Sequence, residues 1–193
     1  MGNVEELLLR DIGQKRLDHS LRVADIAKEL GSIYGANLEK INIAALLHDC
    51  GKYLDKYNLL KIANEFGIIL DEIMMKNLEL IHAPLGSKIA KTKYGVTDVD
   101  VLNAIKYHTT GRENMSLLEK IIFISDYIEP GRSFPGVEEV RKLAYIDINK
   151  SVLTAMDNTL KFLIDTNKLI SIETVKARNF MKIQEMKGAW ELQ

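Results

Sequence analysis

The chain has 193 residues, 47% apolar and 27% charged, enough for one domain with a sizeable core, too few for two ordinary catalytic domains, and incompatible with wholesale disorder. Its 26 Lys and Arg stand against 27 Asp and Glu for a net charge of −1, so no global field is available to hold nucleic acid or an anionic membrane, and any anion must be bound locally. The single cysteine, Cys50, cannot close an internal disulfide. With no secretion-like apolar start, no run near the roughly 20 apolar residues of a membrane span, and Glu6 where myristoylation wants Ser or Thr, a reducing cytoplasm is the expected compartment.

Only three prolines, Pro84, Pro130 and Pro135, interrupt the chain, and the apolar spacing predicts an all-α protein. From Leu17 to Tyr34 the residues His19, Val23, Ile26, Leu30 and Ile33 mark one face of an amphipathic helix that should end near Gly35. Ile41, Ala45 and His48 continue the pattern in a second helix, with Gly51 as its expected left-handed terminus. A short helix over 56–66 should stop at Gly67. Asp71 is the expected cap of a helix running through Leu78 toward Ile81, with His82 at its end. Pro84 suits the first turn of another helix that carries Ile89 and Ala90 and stops near Gly95. Asp98 caps the next, whose stripe of Val101 and Ile105 runs into His108. Ser116 and Glu119 match a capping box ahead of Leu118, Ile122 and Asp126, and Pro130 ends that element. Beyond Pro135, helices over 137–145, from Asp147 to Ile164 and from Ser171 toward Lys187 should supply mostly packing. No repeat or linker divides the chain, so residues 1–193 read as one domain.

All four histidines fall on an apolar helix face or at a helix end, with Asp49 and Asp126 in their company. A single histidine so placed is ordinarily a hydrogen-bonded core residue. Four of them with two acids are a different case, because a buried carboxylate is costly unless paired or bound to a cation. A metal ion satisfies the acids and imidazoles together. Nitrogen and carboxylate donors suit iron, manganese or zinc rather than calcium or a thiolate cluster. Helices packed about 8–10 Å apart let ligands from several of them converge on one ion. Neighbours such as His48 and Asp49 point about 100° apart on a helix, so both reach one ion only beyond the helix end or by bridging.

His19, the pair His48 and Asp49 in ALLHDCGKY, and Asp126 in FISDYIEPGR resemble the H…HD…D signature of the HD-domain metal-dependent phosphohydrolases. DHSLRVADIAKEL, the turn of His82, Ala83 and Pro84, IKYHTTGR and SDYIEPGR are similar to the bacterial YqeK group of HD proteins, understood as symmetrical diadenosine tetraphosphate hydrolases. The signature segments cover 15–132 and leave 133–193 as carboxy-terminal packing helices. The resemblance implies a compact multi-helix HD-domain bundle with a metal site in its core. It implies His19, His48, Asp49 and Asp126 as ligands of one or two divalent transition-metal ions, iron first, with manganese and zinc as alternatives. His82 and His108 would hold a second ion or contact phosphate, and with His48 and Asp49 complete the expected catalytic set. A metal-bound hydroxide would be the nucleophile. Arg22, Lys52, Thr109 and Arg132, in or beside the signature segments, join His82 and His108 as expected substrate-binding groups. Arg112 is a further candidate for phosphate, while Cys50 reads as a small packing residue. Tyr53, Tyr107, Tyr127 and Phe134 either stack on a purine or pack the rim.

The function so implied is hydrolysis of diadenosine tetraphosphate to two ADP. The alternatives are an HD phosphohydrolase acting on a deoxynucleotide or a guanosine alarmone, a nucleotide-sensing module with little turnover, and a metal-free helical scaffold. The expected partners are the nucleotide substrate and its ADP product, without nucleic acid or membrane. The apolar faces of the last helices are compatible with a homodimer.

Overall fold

The computed structural model describes residues 2–52 and 56–188. Helices α1 (Gly2–Ile12) and α2 (Gln14–Tyr34) meet at Gly13, where φ is +75°. The first of them is an element the apolar spacing did not announce. Its Leu8 is fully buried, and tertiary packing stabilises so short a helix where propensity alone would not. The second ends at a left-handed Gly35, as its stripe predicts. Asn37 opens α3 (Leu38–Leu47) by accepting from the amides of Glu39 and Lys40, which satisfies two donors that a helix start leaves free. Helix α4 (Lys56–Glu65) follows.

Two expectations fail in this half of the chain. The single helix expected from Asp71 toward Ile81 is two pieces. Asp71 does cap α5 (Glu72–Lys76), but Asn77 adopts φ −125° and ψ 82°, and one 3-10 turn (Leu78–Ile81) leads straight into α6 (His82–Thr92). His82 therefore opens a helix and does not close one. Asparagine competes poorly for helix interiors, and apolar spacing is blind to one extended residue between helical turns. Gly51, in turn, is not left-handed. A Cβ there would sit 2.3 Å from the carbonyl oxygen of His82 and 2.7 Å from the amide nitrogen of Gly86. Glycine is required because two backbones touch.

Asp98 caps α7 (Val99–Tyr107) by accepting from Asp100 and Val101. Both bonds of the expected box start α8 (Leu117–Ile128). Ser116 Oγ accepts from the Glu119 amide at 3.3 Å, and Glu119 Oε2 accepts from the Ser116 amide at 2.6 Å. Ser116→Ala should cost about 1 kcal/mol and lower Tm by about 2–4 °C, read by thermal denaturation; an unchanged Tm would show that Glu119 alone suffices. Then come α9 (Val137–Ala144), α10 (Ile148–Asp165), capped by Asp147, and α11 (Ile172–Met186).

The described residues are all-α, without a strand, and none of their helices is long and apolar enough to cross a membrane. At the centre, α2 packs on α3 and α8, and α7 on α3, α6 and α8. Ile41, Leu47, Ile105, Ile121, Ile122 and Ile124 are fully buried there, each side chain contributing about 1.5–3 kcal/mol. Helices α9 and α10 pack on α8, and α11 on α10. The ends of α3 and α7, the start of α6, the second turn of α2 and the last turn of α8 thus face one another.

Candidate metal centre

Each of those five places carries one or two of the anticipated side chains. His19 lies within α2, His48 is the C-cap of α3 with Asp49 in the turn beyond, His82 opens α6, His108 is the C-cap of α7, and Asp126 sits in the last turn of α8. His48 and Asp49 reach a common point because the helix has already ended. The four imidazoles and Asp49 are buried, and the rings form a chain of edge-on contacts. Centroids are 5.2 Å apart for His19 and His48, 4.9 Å for His48 and His108, and 5.0 Å for His82 and His108.

The hydrogen bonds behind the rings settle which nitrogens face inward. His48 Nδ1 donates to the Ala45 carbonyl at 2.7 Å and His108 Nδ1 to the Ile105 carbonyl at 2.8 Å. His82 Nδ1 donates to the Glu79 carbonyl, and His19 Nδ1 to Glu129 Oε1 at 3.3 Å. Every one of these partners only accepts, so each Nδ1 carries a proton and each ring turns its Nε2 toward the others. The Nε2 atoms of His19 and His48 are 3.3 Å apart, and those of His82 and His108 3.0 Å. Asp126 Oδ1 is 3.0 Å from His19 Nε2.

Asp49 lies between the pairs. Its Oδ2 is 3.7 Å from His19 Nε2 and 3.6 Å from His48 Nε2, while its Oδ1 is 3.2 Å from His82 Nε2 and 3.6 Å from His108 Nε2. Acceptors facing acceptors repel unless a cation lies among them. Among the described residues, two groups have ligand atoms close enough to hold a metal ion: His19, His48 and Asp126, and His48, Asp49 and His108. The donor set therefore fits a divalent transition metal.

Burial pushes the His48 imidazole down to about 4 and lowers His82 as well, leaving both neutral, as ligands must be. Burial opposes ionisation of Asp49 and Asp126, yet contacts with the surrounding imidazoles outweigh it and hold both acids below the usual carboxylate range. For His108 burial acts downward, but the Asp49 and Asp126 carboxylates override it and raise the pKa. The pocket draws positive charge.

The expected phosphate-binding groups divide. Thr109 Oγ lies 3.2 Å from His82 Nε2 and 3.1 Å from His108 Nε2. Arg132 contacts Asp126 through both its side chain and the main-chain carbonyl, and Arg22 Nε donates to Glu129 at 2.6 Å. Lys52 is 3.5 Å from Glu79. Arg112 is drawn elsewhere, bidentate on the capping-box acid Glu119 at 2.6 and 2.9 Å. Tyr127 and Phe134 pack edge-on against each other, 5.1 Å between centroids, and Tyr107 receives Lys106 and Arg112 over its ring. Tyr53 lies outside the described residues. Cys50 is buried, donates to the Gly86 carbonyl at 3.2 Å, and has its thiol pKa raised by burial. A cavity of about 870 Å³ opens elsewhere, lined by Lys120, Asp147 and Phe180 among others; converging donors, not concavity, mark this site.

Two residues of the site escaped the sequence reading. Arg16 Nη1 donates to Asp49 Oδ2 at 2.7 Å. Glu129 is almost wholly buried and accepts from His19, Arg22 and the Gly131 amide. Arg16 precedes His19 by three and Glu129 follows Asp126 by three, the spacing of neighbours on one helix face. That spacing was the available signal.

The chain belongs to the HD domain family, which matches residues 16–131. Among its relatives, the proteins from Halalkalibacterium halodurans and Bacillus subtilis, each named bis(5'-nucleosyl)-tetraphosphatase, symmetrical, are both 39% identical. The alignments cover 95% and 93% of this chain and 98% and 97% of theirs. A crystal structure from Clostridium acetobutylicum, described as a predicted HD superfamily hydrolase involved in NAD metabolism, is 46% identical. It superposes with a TM-score of 0.91 over 95% of this chain and 97% of its own.

Proposed function

We propose that this chain is a metal-dependent hydrolase that cleaves diadenosine tetraphosphate symmetrically into two ADP. The observation that carries the metal dependence is the convergence of four Nε2 atoms on two carboxylates, every Nδ1 being tied back to an acceptor. The symmetrical cleavage is supported by relatives aligned over nearly their whole length.

In this reading His19, His48, Asp49 and Asp126 are the primary ligands. Asp49, with one oxygen toward each histidine pair, supports two ions, the second held by His82 and His108. Iron is the proposed metal, since nitrogen and carboxylate donors suit it, with manganese and zinc compatible. A divalent ion held by these residues would supply Lewis acidity and lower the pKa of a water for hydrolysis. The backbone carbonyls behind His48, His82 and His108 hold the Nδ1 protons of those rings and keep each Nε2 turned toward the ion site. Arg22, Lys52 and Arg132 are the cations that would meet the phosphate chain, and Thr109 donates its hydroxyl beside His82 and His108. Their carboxylate partners hold the arginines in place before substrate arrives. Residues 1–193 act as one HD domain, a nucleotide substrate and an unpaired Cys50 fit the cytoplasm, and exposed apolar side chains such as Phe162 and Ile172 would seat a second copy.

Metal-loaded protein incubated with diadenosine tetraphosphate should yield ADP alone, resolved by ion-exchange chromatography. ATP with AMP would overturn the symmetrical cleavage, and turnover of a deoxynucleoside triphosphate or guanosine alarmone in its place would reassign the substrate.

A further inference from the structure

Residues 128–132, which leave α8 just after Asp126, carry two groups of the site: Glu129 behind His19 and Arg132 against Asp126. The carbonyls at a helix C-terminus have no partners within the helix. Arg141, on α9, reaches back to them. Its Nε donates to the Ile128 carbonyl at 2.8 Å, and its Nη2 donates to the carbonyls of Glu129 at 3.0 Å and Arg132 at 2.7 Å. Its Nη1 pairs with Glu138. A planar guanidinium fixes several acceptors in set directions, which a lysine ammonium cannot reproduce. The segment also closes on itself. The Gly131 amide donates to Glu129 Oε2 at 2.7 Å, and a Cβ at Gly131 would lie 2.9 Å from both Glu129 carboxylate oxygens and 3.0 Å from Arg22 Nη2.

We propose that Arg141 is a positioning residue of the metal centre. It locks residues 128–132 so that Glu129 keeps the His19 ring turned and Arg132 stays beside Asp126. Helix α9 lies beyond the residues 16–131 that match the HD domain, so the carboxy-terminal helices do more than pack: one of them sets the geometry of a loop within the site. The kinetic consequence rests on the hydrolysis proposed above, whereas the structural consequence does not.

The test compares the wild type with Arg141→Lys and Arg141→Met, each alone and combined with Arg132→Ala. Amide hydrogen exchange over residues 128–132 should rise at least about tenfold in both single variants while α10 keeps its protection. With diadenosine tetraphosphate as substrate, KM should rise about tenfold with a smaller change in kcat, because the displaced group is a phosphate-binding arm. In the Arg132→Ala background the same substitution should change KM less than about twofold, since the effect on KM runs through the Arg132 arm while Glu129 acts on the His19 ring. Unchanged exchange in both variants overturns the proposal, and so does a full KM effect that persists without Arg132. Should Arg141→Met fail to fold, Arg141→Lys keeps the aliphatic stem and decides alone. A wild type inert toward the dinucleotide would sink the substrate assignment, and exchange would still judge Arg141.

Discussion

Asp49→Asn is expected to leave a folded protein that retains no divalent ion and turns over on the order of a thousandfold more slowly, the loss typical when a preorganised charge at the reacting group is removed. Asparagine keeps the shape of the side chain and one acceptor oxygen but not the charge. Asp49 is the acid whose two oxygens face both histidine pairs, so neutralising it weakens both halves of the centre together. The fold survives because the variant removes a charge that is buried at the heart of the cluster, while Arg16, one-third exposed, can turn to water. Metal analysis after dialysis and thermal denaturation read the result separately from catalysis. At metal a thousandfold above Kd the wild type should gain about 4 kcal/mol, a Tm rise of about 8–16 °C for a chain of this size. The variant should gain almost none. If Asp49→Asn kept the ion and the turnover, the ligand set proposed for this centre would be wrong.

Gly51→Ala should cost about 3 kcal/mol and lower Tm by about 6–12 °C, although the position touches no ligand side chain. All three obstacles to its methyl group are backbone atoms, one of His82 and two of Gly86, so no rotamer change relieves the contact. To make room, the end of α3 must draw away from the start of α6, which separates His48 from His82. Metal affinity should fall about 10–100-fold as a result, the range for losing support around a ligand. Gly86→Ala is the graded comparison. Its Cβ would meet Gly51 nitrogen at 3.3 Å and the His48 carbonyl at 3.4 Å, and it should cost about 1 kcal/mol. Equal Tm values for the wild type and Gly51→Ala would show that the two helices are not held in contact here.

Helix starts were the most legible feature of this chain. Asp71, Asp98, Ser116 and Asp147 all cap the helices expected of them, because a cap is a bond between residues two or three apart. The failures came where a local pattern had more than one physical cause. A glycine after a helix is ordinarily left-handed, yet Gly51 is glycine because another helix touches it. A run from Asp71 to Ile81 with suitable apolar spacing is ordinarily one helix, yet Asn77 breaks it and turns His82 into the first residue of α6.

The site divides the same way. Amphipathic spacing was enough to send the four histidines to the interior, since which face of a helix a residue occupies is a property of the helix alone, whereas Asp126, expected on an apolar face, keeps about one-fifth of its side chain exposed. How those side chains are shared was decided only in three dimensions. His19 meets Glu129 across 110 residues and Arg16 meets Asp49 across 33. The division of Asp49 between two imidazole pairs, and the grip of Arg141 on the loop after α8, depend on how separate helices dock. No periodicity within one helix encodes the distance to another, so those contacts became visible only once the bundle was assembled.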